Sequence, residues 1–202
     1  MLKKKLVSNN IYLEKLSIKY SSELFKIRRK KNLIKFLSPI SNNPIDQKKF
    51  IINDKRLGNY LFGIFNHKKI LIGTIGIYNI SNKKNAEWGR WICEGNSIES
   101  IESLYLLIKF AFEELKLNMI FCKTLSSNIR HKFGGQPEDH GYLFLGEWVK
   151  ILSFFEIDNQ IIYEIPASNM PNIYSGMMVL MKRNKNIRLK MSFIILVEKT
   201  LI

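Results

Sequence analysis

Over residues 86–128 the spacing of apolar positions changes twice, and each change marks a different element. Residues 86–92 alternate large and polar side chains around Gly89, the period of a half-buried strand with a bulge or a close backbone approach at the glycine. Residues 93–96 break the alternation. From Ser97 onward Ile98, Ile101, Tyr105, Ile108, Phe112 and Leu115 recur at steps of three and four, while Leu104, Leu107 and Ala111 widen the same face. This pattern predicts a long helix packed on a sheet. Asn96 is placed to cap it, Glu99 completes a capping-box pair, and Lys116 falls in the last turn. Residues 118–125 then read as a second apolar strand. A strand-turn-helix of this kind gathers free amides and the positive end of the helix dipole, which suits a pyrophosphate. The same spacing also describes a plain strand-helix-strand unit with an empty cap.

Residues 1–9 form a short basic arm, expected to be mobile, and residues 11–16 alternate as a strand. Leu24, Phe25 and Ile27 predict a helix over residues 20–31 with Ser21 or Ser22 as its cap. Residues 36–40 are a loop, and Pro44 opens a second helix that runs to about Lys55 and stops at Gly58. A meander of strands follows over residues 60–65, 70–80 and 84–92. Beyond Leu125, residues 131–141 are polar and glycine-rich, and residues 142–149, 161–165 and 177–181 are strand candidates. Residues 182–190 are basic and residues 191–197 apolar, too short to span a bilayer.

Composition narrows the class. With 202 residues and 46% apolar content the chain fits one domain, residues 1–202, with a C-terminal extension over residues 183–202. Cys93 and Cys122 lie in core-like segments at no metal-ligand spacing, and residues 1–7 lack the apolar run of a signal peptide. A cytoplasmic protein with reduced thiols and no metal is expected. The 32 Lys and Arg residues against 17 Asp and Glu give a net charge of +15. That charge admits a basic nucleic-acid-binding module, but the lysines are scattered among Asn and Ile as an AT-rich coding sequence would scatter them. No P-loop, zinc cluster, Gly-x-Ser-x-Gly elbow or EF-hand loop is present, and His67, His131 and His140 are separated by polar loops.

Five segments, in order, resemble the Gcn5-related N-acetyltransferase superfamily: residues 11–16 with 24–29, then 71–78, 86–92, 110–117, and Ser127 with Asn128. The likeness covers about residues 10–150 and is strongest to bacterial enzymes that acetylate amino-sugar nucleotides for surface glycans, of the pseudaminic-acid pathway type. It implies an α/β (α+β) fold: a mixed, mostly antiparallel sheet with splayed central strands, flanked by helices. It also implies acetyl transfer from acetyl-CoA to a primary amine on a small molecule, with a nucleotide-linked amino sugar as the expected acceptor. A protein or peptide N-terminus is the alternative acceptor, and a nucleic-acid module with a degenerate site is the alternative class. No membrane span is expected, and a homodimer is compatible with the reading.

The resemblance further implies a site. The strand over residues 86–92 diverges from that over 118–125, and backbone groups of Trp91, Ile92 and Cys93 pair with the pantetheine arm. Gly89 marks the bulge that opens the gap. Gly95, Asn96, Ser97, Ile98 and Glu99 occupy the pyrophosphate turn, departing from the family's Gln/Arg-x-x-Gly-x-Gly/Ala pattern. Asn128 matches the family asparagine at the cofactor. The family's tyrosine acid has no counterpart at the usual distance, and the nearest titratable residue is His131, either the proton donor to the thiolate or a solvated loop histidine. Glu87 is either the base that deprotonates the amine through water or a surface charge. Arg28, Arg29, Phe36, Tyr78 and Trp88 line the acceptor side, where arginine suits a diphosphate and an aromatic ring suits a sugar or base, although Phe36 and Trp88 suit the core equally.

Overall fold

The computed structural model describes residues 5–30, 41–125, 153–157 and 160–169. Its elements are β1 (Lys5–Val7), β2 (Ile11–Lys15), a 3-10 turn (Ile18–Tyr20), α1 (Ser21–Ile27), α2 (Pro44–Arg56), β3 (Tyr60–Asn66), β4 (Leu71–Tyr78), β5 (Asn85–Cys93), α3 (Ser97–Lys109), β6 (Met119–Leu125), β7 (Ser153–Ile157) and β8 (Gln160–Pro166). The strands form one eight-stranded sheet in the order β1-β2-β3-β4-β5-β6-β8-β7. Every pair is antiparallel except β5 with β6. A parallel pair needs a crossover, and α3 supplies it. This is the mixed sheet flanked by helices expected from the sequence.

The two faces are covered by different helices. Against one lies α3, whose Ile101, Leu104, Leu107 and Ile108 join Leu13, Ile64, Ile75, Ile77, Ala86 and Trp88 in the larger core. These α3 positions are the apolar stripe read from the sequence. Against the other face, Leu24 and Ile27 of α1 and Ile51 of α2 pack on Leu61, Phe65, Leu71 and Ile92. Each such side chain, fully withdrawn from water, contributes about 1.5–3 kcal/mol. A π-helical turn, Phe110–Glu114, ends α3: the N–H of Leu115 reaches the carbonyl of Phe110 at 3.0 Å. The wider turn lets Phe110, Ala111 and Phe112 all be buried in succession.

Four expectations are corrected, the first being Lys116, which lies beyond the helix at φ +54° while Lys109 is the basic residue in the last turn of α3. The basic arm is in part a strand: β1 pairs with β2, and Leu6 is buried. Helix α1 is shorter than residues 20–31, and its serines do not cap it. Ser21 is buried within the helix, and the capping side chain is Ser17, which accepts from the N–H of Lys19 at the start of the 3-10 turn. The bulge in β5 falls one residue beyond Gly89, as described below. Strand β7 had no counterpart in the pattern. The candidates over residues 142–149 and 177–181, the tail over 182–197 and the loop over 36–40 lie outside the described residues. Helix α2 is as expected: Asn43 Oδ1 accepts from the N–H of Ile45 at 3.0 Å, Pro44 opens the helix, and Gly58 follows it at φ +74°. Among the described residues no helix is long and apolar enough to cross a membrane.

Candidate active site

Strands β5 and β6 run side by side only at their beginnings. Asn85, Ala86 and Glu87 pair with Met119, Ile120 and Phe121. Beyond Glu87, β5 continues on β4 alone as far as Cys93, while β6 continues on β8 as far as Leu125. Between the two diverging strands lie backbone N–H and C=O groups with no strand partner among the described residues. A ligand with amide groups of its own can satisfy such groups as an added strand would.

The divergence has a local cause in β5. Thr74 of β4 faces Ile92 and Gly76 faces Gly89, so Arg90 and Trp91 together stand opposite Ile75. That is a one-residue bulge, and Arg90 carries it at φ +53°. The Thr74 hydroxyl donates to the Arg90 carbonyl at 2.9 Å and holds the kinked backbone. Gly89 serves the neighbouring contact instead: a Cβ there would stand 2.7 Å from the Tyr78 hydroxyl. The bulge also resets which face each side chain takes. Ala86, Trp88 and Trp91 turn to α3, whereas Arg90 and Ile92 turn to α1 and α2.

At the fork stands Glu87. Its carboxylate accepts from the Tyr78 hydroxyl at 3.2 Å and from Asn79 Nδ2 at 3.1 Å, with Lys123 Nζ at 4.0 Å. Burial, and then the charge of Glu87, push the Tyr78 phenol far above its ordinary range, so it stays a neutral donor. Arg90 lies over the Tyr78 ring at 4.3 Å and over Phe50 at 5.0 Å, and pairs with the buried Asp54. Burial, and then the neighbouring Arg28 cation, lower the Arg90 pKa. The other end of the opening is the start of α3. Asn96 Oδ1 accepts from the N–H groups of Ile98 at 2.9 Å and Glu99 at 3.1 Å, and Glu99 Oε2 accepts from the N–H of Asn96 at 2.8 Å. The capping box expected from the sequence is therefore complete.

Trp91 turns inward and donates from Nε1 to Ser103 Oγ at 3.1 Å, leaving its backbone at the opening. Ile92 is buried under α1 and α2. Cys93 ends β5, its thiol pushed up chiefly by burial. Gly95 is closely covered by the Glu99 side chain, and Ser97 is the first residue of α3. Arg28 and Tyr78 share the fork's α1/α2 side, but Arg29 is exposed, donates to Asn42 at 2.7 Å and stacks on Phe25. Trp88 does not line that side: it is 3% exposed and packed in the α3 core. The alternation explains why, since Trp88 follows Ala86 on the face opposite Glu87. His131, Asn128 and Phe36 lie outside the described residues. Asp54 and Arg90 were not foreseen. A regular strand puts Arg90 on the Trp88 face, and nothing in a polar stretch of α2 singles out its buried acid.

The profile of the acetyltransferase (GNAT) domain matches residues 10–132. The chain belongs to the GNAT family. No curated protein sequence matches it. A GCN5-related N-acetyltransferase from Brucella melitensis shares the fold at TM-score 0.75 and 11% identity, over 98% of this chain and 96% of that one. Apo FdhC, described as a nucleotide-linked sugar GNAT, aligns at TM-score 0.69 and 20% identity, over 89% and 98%. A GNAT-family acetyltransferase from Bacillus anthracis aligns at TM-score 0.59 and 18% identity, over 81% and 99%. The protein is thus an acetyl-transferring acyltransferase, of a family that uses acetyl-CoA and acts on small-molecule or peptide amines. The opening fits a pantetheine arm because its two edges present peptide groups. The α3 turn fits a pyrophosphate less well, because its first amides are taken by Asn96 and an acidic side chain stands beside them.

Proposed function

We propose that this GNAT enzyme acetylates the primary amine of a nucleotide-linked amino sugar, as a single domain acting in the cytoplasm. The observation that carries the reading is the Tyr78–Glu87 pair at the fork, on the side where Arg28 and Arg90 gather. A carboxylate at the strand divergence, oriented by two donors, is placed to take a proton from an ammonium through a water, and the Arg28 cation near Arg90 suits an acceptor that carries phosphate. FdhC, a nucleotide-linked sugar GNAT aligned over 98% of its own chain, supports the same acceptor class.

Acetyl-CoA supplies the thioester. In this reading the backbone of Trp91, Ile92 and Cys93 receives the pantetheine amides, and the turn of Gly95, Asn96, Ser97, Ile98 and Glu99 receives the pyrophosphate, with Asn128 at the cofactor's far side. Glu87 takes one proton from the acceptor ammonium through a water. The freed amine forms its bond to the acetyl carbon as the carbon–sulfur bond breaks, the nitrogen gives its second proton to water to leave a neutral amide, and His131 gives a proton to the departing sulfur. Holding amine and thioester together supplies most of the rate. In this reading the acceptor-side cation is Arg28, because the Arg90 guanidinium is engaged by Asp54 and by the Phe50 and Tyr78 rings. The test is thiol release from acetyl-CoA across a panel of UDP- and dTDP-linked amino sugars and N-terminal peptides. Turnover with an amino-sugar nucleotide is expected; turnover with peptides alone would move the protein to the peptide branch.

A further inference from the structure

We infer that Asp54 and Arg90 are positioning residues for the Tyr78–Glu87 pair, an inference that rests on Glu87 being the base proposed above. The contacts form one continuous line. The turn after α2 fixes Asp54: Asn59 donates from Nδ2 to Asp54 Oδ1 at 2.8 Å, and from its backbone to the Asp54 carbonyl at 3.2 Å. The Asp54 side chain, only 2% exposed, pairs with Arg90. The Arg90 guanidinium fills the space between the rings of Phe50 and Tyr78. Stacked in this way, the Tyr78 ring places its hydroxyl above Gly89, 2.7 Å from where a Cβ would stand, and within reach of Glu87 Oε1. Glu87 is in turn the last β5 residue that pairs with β6. A helix on one face of the sheet is thereby connected to a carboxylate at the mouth of the opening.

Stability alone gives no reason for this arrangement. A buried ion pair is commonly matched or bettered by apolar side chains of the same volume, and a non-glycine residue at positive φ is strained. The strain has a specific result: it turns Arg90 away from the Trp88 face and onto Tyr78. An aromatic face attracts a guanidinium, and the flat stack limits rotation of the ring in a way that an aliphatic neighbour would not.

The test is a set of kinetic cycles in the full-length enzyme, using acetyl-CoA and the fastest amine of the panel. Arg90→Gln and Tyr78→Phe are each expected to lower kcat about tenfold while the acetyl-CoA KM stays within about twofold, and Asp54→Asn to lower it about threefold. Made in a Glu87→Gln background, the same changes are expected to subtract roughly nothing further, because the group they position is gone. Tyr78→Phe removes a single oxygen and keeps the ring, so it carries the test even where Arg90→Gln melts early. Should Glu87→Gln reduce kcat while Arg90→Gln and Tyr78→Phe reduce it by the same factor in both backgrounds, the positioning role is overturned and the base assignment stands. Should Glu87→Gln leave kcat at the wild-type value, both fall.

Discussion

The two ends of the opening between β5 and β6 are finished in contrasting ways. At the fork, the Glu87 carboxylate is bonded by Tyr78 and Asn79, and Tyr78 lies against Arg90, which pairs with Asp54, so the contacts there join residues that lie far apart in the chain. At the start of α3, Asn96 and Glu99 satisfy one another within four residues, so the chain itself occupies donors that a phosphate would want. The contrast separates two tasks. In the proposed reading the fork orients the reacting amine, whereas the helix end already has its first amides satisfied by its own side chains. On that reading, affinity for acetyl-CoA rests on the backbone edges between them more than on the turn.

The largest expected effect breaks the fork directly. Glu87→Gln keeps the shape and removes the proton acceptor, and should lower kcat about a hundredfold with acetyl-CoA affinity preserved, measured by thiol release and calorimetry. A smaller effect comes from crowding the same end. Gly89→Ala brings a Cβ to 2.7 Å from the Tyr78 hydroxyl, and the displaced ring should lower kcat roughly tenfold while the melting temperature moves little. Its neighbour across the bulge behaves differently. A Cβ on Gly73 would collide with the carbonyl of Ile92, which is backbone and cannot step aside, so Gly73→Ala should cost about 2 kcal/mol in a denaturant melt.

The difference between the ends also explains what the sequence disclosed. The capping box is a local pattern, and Asn96 with Glu99 announced it before any coordinates. The α3 stripe and the β3–β4–β5 meander were legible for the same reason, since period and turn residues are written in consecutive positions. The bulge was anticipated at Gly89 because glycine is the residue that tolerates the geometry most easily. The chain places it on Arg90 instead, and pays for the positive φ with the contacts to Asp54, Phe50 and Tyr78. Those contacts join residues distant in sequence, and no spacing rule links them. Trp88 was assigned to the acceptor side by its position in the family pattern, although its alternation with Glu87 already placed it on the opposite face. Strand β1 is three residues long, too short for alternation to register.

The smallest expected effect sharpens the comparison from the helix end. Glu99→Gln retains an oxygen for the N–H of Asn96 but removes a negative charge beside the turn. Acetyl-CoA should bind about two- to fivefold more tightly, with a salt-sensitive gain, in a titration followed by calorimetry. Weaker binding by the variant would place the pyrophosphate elsewhere.

Amide hydrogen exchange with and without acetyl-CoA tests the central claim most directly, because it reads the two ends and the edges between them in one experiment. The account predicts strong new protection at the β5 amides that face the opening between Trp88 and Cys93, with little change at Ile98 and Glu99, whose amides Asn96 already holds. Protection concentrated at the start of α3, with the β5 amides unchanged, would contradict it.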